Sequence, residues 1–194
     1  MEKILHLFIT NSCRHNCELC CNKFYNIQKI PIASVELLKS VSTVCLTGGE
    51  PFWIKPEILA HFIIKLRTQY QNIKNLYIYT SGKELGENLG KVMNIVLSAK
   101  SPWMLKSLQI DGITVGPKDF EDWNGLIKAM KEVQYFFCSA RSNRLYVFKE
   151  HKEIYEIAKR SFPKDCEINV MSRNWDSTFN TPENEYFARL PILL

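Results

Sequence analysis

The stretch TVCLTGGEPFWIKPEILAHFIIKL, residues 43–66, contains one predicted strand, one turn and one helix in succession. Residues 43–47 are all β-branched or apolar, which predicts a short buried strand. A glycine-rich turn follows, and Pro56 stands where a proline is favoured in the first turn of a helix. Beyond it, apolar residues recur at helical spacing: Ile58, Leu59, Phe62, Ile63 and Leu66. The stretch therefore predicts one strand–turn–helix unit.

The same unit recurs along the chain. Short β-branched or aromatic runs predict further strands at residues 4–10, 76–80, 108–115, 145–148 and 166–171. Helical patterns alternate with them near 35–38 and at 85–97, 120–133 and 154–158, and a last helix start is predicted at Thr181-Pro182-Glu183. The strand predicted at 108–115 carries Asp111-Gly112 in its middle. Strands that alternate with helices predict a parallel sheet with right-handed crossovers.

The length of the chain limits how many such units it can hold. About six units of roughly 30 residues each fit the chain, whereas a closed eight-unit barrel takes about 250 residues. We therefore expect an α/β fold, a partial, open parallel β/α barrel in a single domain over residues 1–194, with a C-terminal tail from about residue 172. In such a fold, ligands bind at the carboxyl ends of the strands.

Composition excludes several classes of protein. Hydrophobic residues make up 46% of the chain and charged residues 23%, so the chain is not disordered by composition. The formal net charge of +5 is spread along the sequence, which permits an anionic partner but gives little support to a nucleic-acid partner. No secretory signal and no run of about 18 apolar residues is recognisable. We therefore expect a cytoplasmic protein with no membrane partner.

The cysteines are distributed unevenly. There are seven, an odd number that argues against a closed disulfide framework. Four of them crowd into nine positions: Cys13, Cys17, Cys20 and Cys21. In a reducing compartment, such a cluster indicates metal or redox chemistry. Scattered cysteines, in contrast, are usually small core residues. The isolated Cys138 and Cys166 are expected to be core residues of that kind.

The segment Cys13-Arg14-His15-Asn16-Cys17-Glu18-Leu19-Cys20 directly follows the first predicted strand. Three thiolates at these spacings can converge on one iron–sulfur cluster or one zinc ion. A closed site takes four protein ligands, so three thiolates leave one metal position open to an exogenous ligand. Cys21 and His15 are candidates for a fourth ligand. However, the side chains of adjacent residues point apart in most conformations, and His15 also fits a solvated or capping role.

The turn Gly48-Gly49-Glu50 follows the second predicted strand and so belongs to the same edge of the sheet as the cysteine segment. Two successive glycines let the backbone approach a ligand closely or adopt a positive φ. The carboxylate of Glu50 is able to hold an ammonium group, and Pro51 stiffens the exit from the turn. Alone, this turn also fits an ordinary strand-to-helix connection.

Together, the two motifs resemble those of the radical S-adenosylmethionine (radical SAM) superfamily. That family has a C-x3-C-x2-C loop, matched here by Cys13, Cys17 and Cys20, followed after one strand–helix interval by a GGE turn, matched by Gly48-Gly49-Glu50. Thr80-Ser81-Gly82, after the third predicted strand, is similar to the Thr-Asn-Gly turn of the family. The motif resemblance covers the first third of the chain.

The resemblance implies two cofactors and a reaction class. The three cysteines would hold a [4Fe–4S] cluster, and the amino and carboxylate groups of SAM would chelate its open iron. An electron from the cluster would break the sulfonium bond of SAM to give methionine and a 5′-deoxyadenosyl radical, which abstracts hydrogen from a substrate. Such a metal-binding oxidoreductase needs an electron donor, such as a flavodoxin or a ferredoxin. The protein supplies position and shelter from water.

The resemblance also implies contacts to SAM. Gly48, Gly49 and Glu50 would receive its amino group. Ser81, Gln109 and Asp111 are candidates for its ribose and carboxylate, and Arg144 or Arg173 could meet the carboxylate. For these five side chains, ordinary turn or surface polarity is the alternative interpretation. Leu19 departs from the family, which often has an aromatic residue before the third cysteine.

The size of the chain points to two kinds of radical SAM protein. Minimal members resemble either the activating enzymes that act on a partner protein or the carboxy-deazaguanine synthases that act on a small pterin. The latter usually carry Asp and Thr or Ser after the third cysteine, where this chain has Cys21-Asn22. We therefore favour a peptide or partner protein as substrate. The rival from another class is a non-catalytic iron–sulfur or zinc module, which predicts four protein ligands and no affinity for SAM.

Overall fold

The computed structural model describes residues 2–15, 17, 20, 29–99, 109–138, 142–174 and 183–190. Over these residues seven strands are present: β1 Ile4–Thr10, β2 Thr43–Gly48, β3 Asn75–Thr80, β4 Gly112–Val115, β5 Arg144–Phe148, β6 Asn169–Arg173 and β7 Glu185–Arg189. The helices are α1 Val35–Ser40, α2 Pro56–Gln69, α3 Lys83–Ser98, α4 Phe120–Glu132, α5 Gln134–Cys138 and α6 Lys152–Ala158. Short 3-10 helices lie at Pro51–Trp53, Lys149–His151 and Lys159–Ser161.

The seven strands form one open sheet in the order β6-β5-β4-β3-β2-β1-β7, and every pair is parallel. From β1 to β6, each strand lies beside the next in the sequence. Because right-handed crossovers that step in one direction put all connecting helices on the same face, the sheet has a helix-covered face and an opposite face. The expected α/β fold, a partial open parallel barrel, is confirmed.

The hydrophobic core lies between the sheet and its helices. Alternate residues of strands β1 to β5, such as Leu5 and Leu7 of β1, are buried in one cluster with Leu59 and Ile63 of α2. Since successive side chains of a strand point to opposite faces, the intervening residues, such as His6, belong to the other side of the sheet. We call that side, opposite the helices, the inner face.

Most predicted elements agree with the observed ones, with three differences. The strand predicted at 108–115 begins only at Gly112, and Leu108 lies outside the described residues. The last strand of the β/α succession covers Asn169–Arg173 rather than 166–171.

The prediction of a helix at Thr181-Pro182-Glu183 is wrong over the described residues. Glu183 and Asn184 form a turn, and β7 follows. The physical reason is a long-range pairing, since β7 adds to the free side of β1 and places Ala188 in the core. The segment after about residue 172, expected to be a tail, thus contributes a strand to the sheet.

None of the helices in the described ranges has an apolar stretch long enough to cross a lipid bilayer.

Candidate functional site

The cysteine segment and the glycine turn leave neighbouring strands at the same edge of the sheet. β1 and β2 are parallel partners, with Thr10 of β1 paired with Gly48 of β2. Two backbone hydrogen bonds continue this pairing beyond the strands. The N–H of Gly49 donates to the carbonyl of Thr10 at 2.7 Å, and the N–H of Glu50 donates to the carbonyl of Ser12 at 2.7 Å. The turn is therefore fixed to the residue just before Cys13.

Both glycines are required by this close approach. Gly48 has a φ of 118°, and a Cβ on it would lie 2.3 Å from the carbonyl oxygen of Thr10. A Cβ on Gly49 would lie 2.1 Å from the carbonyl oxygen of Ser12. Any other residue would collide with backbone atoms there. The sequence allowed two roles for the glycines, a positive φ or a close approach of the backbone, and Gly48 shows both. The backbone that it approaches is that of Thr10, at the end of β1 and just before the cysteine segment.

Glu50 is buried, with 1% of its surface exposed, and its carboxylate accepts four hydrogen bonds. The N–H of Phe52 donates to Oε1 at 3.1 Å and the hydroxyl of Thr80 donates to the same oxygen at 2.8 Å. Ser81 donates to Oε2 twice, from its N–H at 2.8 Å and from its hydroxyl at 3.0 Å. Glu50 therefore joins the turn after β2 to the turn after β3.

The environment of Glu50 favours its neutral form. Burial raises the pKa of its carboxyl to about 7, although the hydrogen bonds from Ser81, Thr80 and Phe52 act in the opposite direction. Desolvation penalises the charged form of any acid, whereas donors aimed at a carboxylate stabilise that form. The group is thus held near the midpoint of its titration at neutral pH.

The three motif cysteines lie close to one another and to Glu50. Cys13 is exposed, whereas Cys17 and Cys20 are half-buried, and the N–H of Cys20 donates to the carbonyl of Cys17 at 3.2 Å. Partial desolvation, together with the charges of Glu50, Cys17 and Cys20, raises the pKa of the Cys13 thiol to about 11. Burial also raises the pKa of Cys17, which Lys118 lowers. Cys21 lies outside the described residues.

Arg14, between the first two cysteines, anchors the segment to the start of α4. Its Nη2 lies 2.9 Å from Asp119 and 2.9 Å from Asp122, and its Nη1 lies 3.0 Å from Glu121. Asp119 is the N-cap of α4 and accepts from the N–H of Asp122. Its carboxylate therefore satisfies a free N–H of the helix as well as the guanidinium. The second carboxylate, Asp122, is fully buried.

His15 belongs to the same network, in which its ring faces two carboxylates. Its Nε2 lies 2.9 Å from Oδ2 of Asp122, and its Nδ1 lies 3.8 Å from Oδ2 of Asp119. Both ring nitrogens thus face carboxylates. The network of Arg14 and His15 with the start of α4 holds the part of the segment between Cys13 and Cys17, and the sequence reasoning missed it. The Asp-x-x-Asp spacing of a helix start was the available signal.

Of the three candidates Ser81, Gln109 and Asp111, the structure brings only Ser81 to this edge. Asp111 precedes β4, where its carboxylate accepts from Arg67 and from the N–H of Leu76 at 2.7 Å. Arg67 also donates to the carbonyl of Gln109 at 2.7 Å. Gln109 and Asp111 therefore lie before β4, at the amino edge of the sheet, because β4 starts at Gly112 instead of containing it. Their contact with SAM stays a prediction.

Arg144 and Arg173 lie on the inner face. Arg144 begins β5, and its guanidinium carbon is 6.0 Å from the centre of the Tyr77 ring. Arg173 ends β6, with its guanidinium carbon 4.7 Å from the centre of the Tyr146 ring.

The remaining cysteines differ from expectation at two positions. Cys45 is buried, but Cys138 is exposed and Cys166 half-buried, with their sulfur atoms 4.0 Å apart. The expectation of a core residue is therefore wrong for Cys138, whereas Cys166 packs against the core from a half-buried position, and the two are not isolated from each other. Their separation of 28 positions hides the contact, which forms because the residue after Cys166 pairs with the carbonyl of Phe137.

Among the described residues, His15, Asp119 and Asp122 form a group whose ligand atoms lie within 4.8 Å of one another. Arg14 contacts both carboxylates of this group.

No protein-family model matches this chain, and no curated protein sequence matches it. A function for this chain is therefore inferred from the geometry of the sheet edge that carries the cysteine segment and the glycine turn. This edge combines three thiols, a buried carboxyl, two hydroxyls and a glycine turn at the carboxyl ends of β1, β2 and β3.

Proposed function

We propose that this chain is a radical SAM enzyme. The observation that carries the proposal is the backbone pairing between the turn Gly48-Gly49-Glu50 and residues 10–12, which joins the two motifs into one site. A [4Fe–4S] cluster held by Cys13, Cys17 and Cys20 supplies an electron that cleaves SAM to methionine and the 5′-deoxyadenosyl radical used for hydrogen abstraction. Both ring nitrogens of His15 face carboxylates at the start of α4, which supports three protein ligands rather than four.

The residues around Glu50 form the proposed receptor for the amino group of SAM. The four hydrogen bonds that Glu50 accepts use the usual acceptor positions of a carboxylate. Thr80 and Ser81 donate their hydroxyl hydrogens to it, so the lone pairs on their own oxygens remain available. An ammonium group would donate to these oxygens and meet the charge of Glu50 behind them. The glycine turn would let it approach the backbone closely.

The open sheet supports a peptide or partner protein as substrate. All five residues of β6 are exposed, so this end of the barrel leaves room for a large molecule beside the inner face. The proposal includes an electron donor such as a flavodoxin or a ferredoxin. Residues 21 and 22, which weigh against the carboxy-deazaguanine synthases, lie outside the described residues.

The test is release of 5′-deoxyadenosine. The protein is reconstituted with iron and sulfide without oxygen, its cluster is quantified, and dithionite and SAM are added. We expect 5′-deoxyadenosine from the wild-type chain, and loss of both cluster absorbance and product in Cys13→Ala, Cys17→Ala and Cys20→Ala. Cys21→Ala and Cys138→Ala are the matched controls and should retain both.

Two results would overturn the proposal. One is a well-formed cluster that binds SAM and yields no 5′-deoxyadenosine. The other is protein purified without oxygen that contains stoichiometric zinc and no iron, which would favour the non-catalytic module.

A further inference from the structure

The inner face of the sheet carries a row of polar and aromatic side chains. On β5, Leu145 and Val147 belong to the helix-side core, so Arg144 and Tyr146 point to the inner face. The register places Tyr79 of β3 beside Thr114 of β4, and Thr114 beside Arg144. The two arginines and the tyrosines of β3 and β5 therefore line one continuous part of this face.

The surroundings of these two arginines differ from those of Arg14 and Arg67. In the part of the chain that the structure describes, neither Arg144 nor Arg173 pairs with a carboxylate, whereas Arg14 and Arg67 do. Arg144 is half-buried, and an anionic partner would offset the cost of partly desolvating its guanidinium.

The charges of these two arginines act on a tyrosine of β3. Burial raises the pKa of Tyr79, and Arg144 and Arg173 both oppose this rise. Two positive charges therefore act on the same hydroxyl from β5 and β6. This arrangement stabilises an anion placed among the three side chains.

The position of Arg144 differs from that of the proposed SAM site. Arg144 begins β5 and therefore lies towards the amino edge of the sheet, whereas the proposed SAM site lies at the carboxyl ends of β1, β2 and β3. Arg173 ends β6, four strands away from β2 in the sheet order. These positions favour a contact of the arginines with the substrate.

We propose that the inner face between β3 and β6 binds an anionic group of the substrate, a carboxylate or a phosphate, through Arg144 and Arg173. A guanidinium donates two parallel hydrogen bonds to either group, and the tyrosine hydroxyls supply further donors. The identification of this anion as part of the substrate rests on the proposed function.

The first experiment is protection of the arginines from chemical labelling. The full chain is treated with phenylglyoxal in the absence of an anion, with inorganic phosphate and with succinate, and labelling at each arginine is measured by peptide mapping. Arg160, exposed in the 3-10 helix Lys159–Ser161, is the control. We expect either anion to reduce labelling of Arg144 and Arg173 at least threefold and to leave Arg160 unchanged. The anion that reduces the labelling more shows whether the site prefers a phosphate or a carboxylate.

The second experiment compares Arg144→Gln with Arg160→Gln. Calorimetric titration with the better protector should show at least tenfold weaker binding in Arg144→Gln and wild-type affinity in Arg160→Gln, with unchanged circular dichroism in both. Equal labelling of Arg144 with and without either anion would overturn the inference, as would unchanged affinity in folded Arg144→Gln.

These measurements need neither the cluster nor SAM. Protection without 5′-deoxyadenosine release would remove the proposed function and leave an anion site. Release of 5′-deoxyadenosine without protection would remove the anion site alone.

Discussion

Gly49 shows how one residue fixes the geometry of the site edge. Its N–H donates to the carbonyl of Thr10, and a Cβ at this position would lie 2.1 Å from the carbonyl oxygen of Ser12. Such a contact cannot be relieved by a flexible side chain, because both partners are backbone. The turn and the cysteine segment would have to separate.

We expect Gly49→Ala to lower the free energy of unfolding by about 3 kcal/mol, measured by urea denaturation. Gly90→Ala in α3 is the control, since its Cβ would meet only Val133 Cγ2 at 3.5 Å. An alanine in a helix is more favourable than a glycine by about 0.5–1 kcal/mol, so Gly90→Ala should stabilise. Equal effects of the two substitutions would contradict this account of the turn.

Glu50 should make stability depend on pH. The unfolded chain releases its proton near the ordinary pKa of 4.5, whereas the folded protein releases it near 7. Between these values the folded state binds more protons, so the contribution of Glu50 to stability is complete below about pH 4.5 and falls as pH rises through 7. The loss is on the order of 3 kcal/mol.

Urea unfolding at several pH values from 4.5 to 8 measures this dependence. Relative to wild type, Glu50→Gln should flatten the decline, because an amide does not titrate. Glu57→Gln, an exposed position of α2, should keep the wild-type slope. A Glu50→Gln slope equal to that of wild type would show that the carboxyl does not titrate in this range.

At the scale of elements, the cysteine segment is stabilised by a helix far along the chain. Arg14 meets Asp119, Glu121 and Asp122 at the start of α4. Because Asp122 is fully buried, removal of the half-buried Arg14 guanidinium leaves a buried carboxylate with less compensation.

We expect Arg14→Gln to cost about 2–4 kcal/mol of stability and to lower the iron bound after reconstitution. Lys128→Gln is the control, because its exposed pair with Glu132 on α4, at 3.9 Å, is worth less than about 0.5 kcal/mol. The measurements are urea denaturation and iron content per chain. Full iron content in a destabilised Arg14→Gln protein would separate the anchor from cofactor loading.

The end of α5 and the segment before β6 meet through Cys138 and Cys166, whose sulfur atoms are 4.0 Å apart. A disulfide needs about 2.05 Å, which a small movement would allow. Burial raises the pKa of Cys166 to about 11, so exchange should be slow at neutral pH and faster in mild alkali.

Treatment with oxidised glutathione should join Cys138 to Cys166 and release two molecules of reduced glutathione per disulfide. Peptide mapping should show this cross-link in wild type, a glutathione adduct on Cys138 in Cys166→Ser, and an unmodified, buried Cys45. Two free thiols after exhaustive treatment would mean that the segment before β6 is held too rigidly to close.

At the scale of the molecule, β7 completes the sheet on the side of β1 that β2 does not cover. Its five residues pair in parallel with β1 from Ile4 to Phe8, and Ala188 is fully buried in the core. The strand that precedes the cysteine segment is thereby an interior strand and not an edge.

Removal of residues 183–194 should therefore expose β1 and promote aggregation, because an uncovered parallel strand offers free N–H and C=O groups. Size-exclusion chromatography and circular dichroism of the shortened and the full chain would measure this effect. A monomeric shortened chain with native ellipticity would show that β7 contributes little.

Local patterns predict β1 to β6 well, because periodicity and turn residues act over a few positions. Residues 4–10 coincide with β1. Local patterns do not predict β7, because this segment forms a strand only through its pairing with β1. The two motifs could be placed at one edge because each follows a strand, but the partners of Arg14 come from a distant helix. Asp111 illustrates a further limit, since the first residue of β4 decides on which edge its side chain lies.

The position of β1 between β2 and β7 has a consequence for biosynthesis. On the ribosome, β1 and β2 emerge early, and β7 is the last of the described strands to be made. Until then, one side of β1 lacks its hydrogen-bonding partner, and the cysteine segment follows a strand of an incomplete sheet. We therefore expect the proposed cluster to assemble only after β7 has been made and has paired with β1.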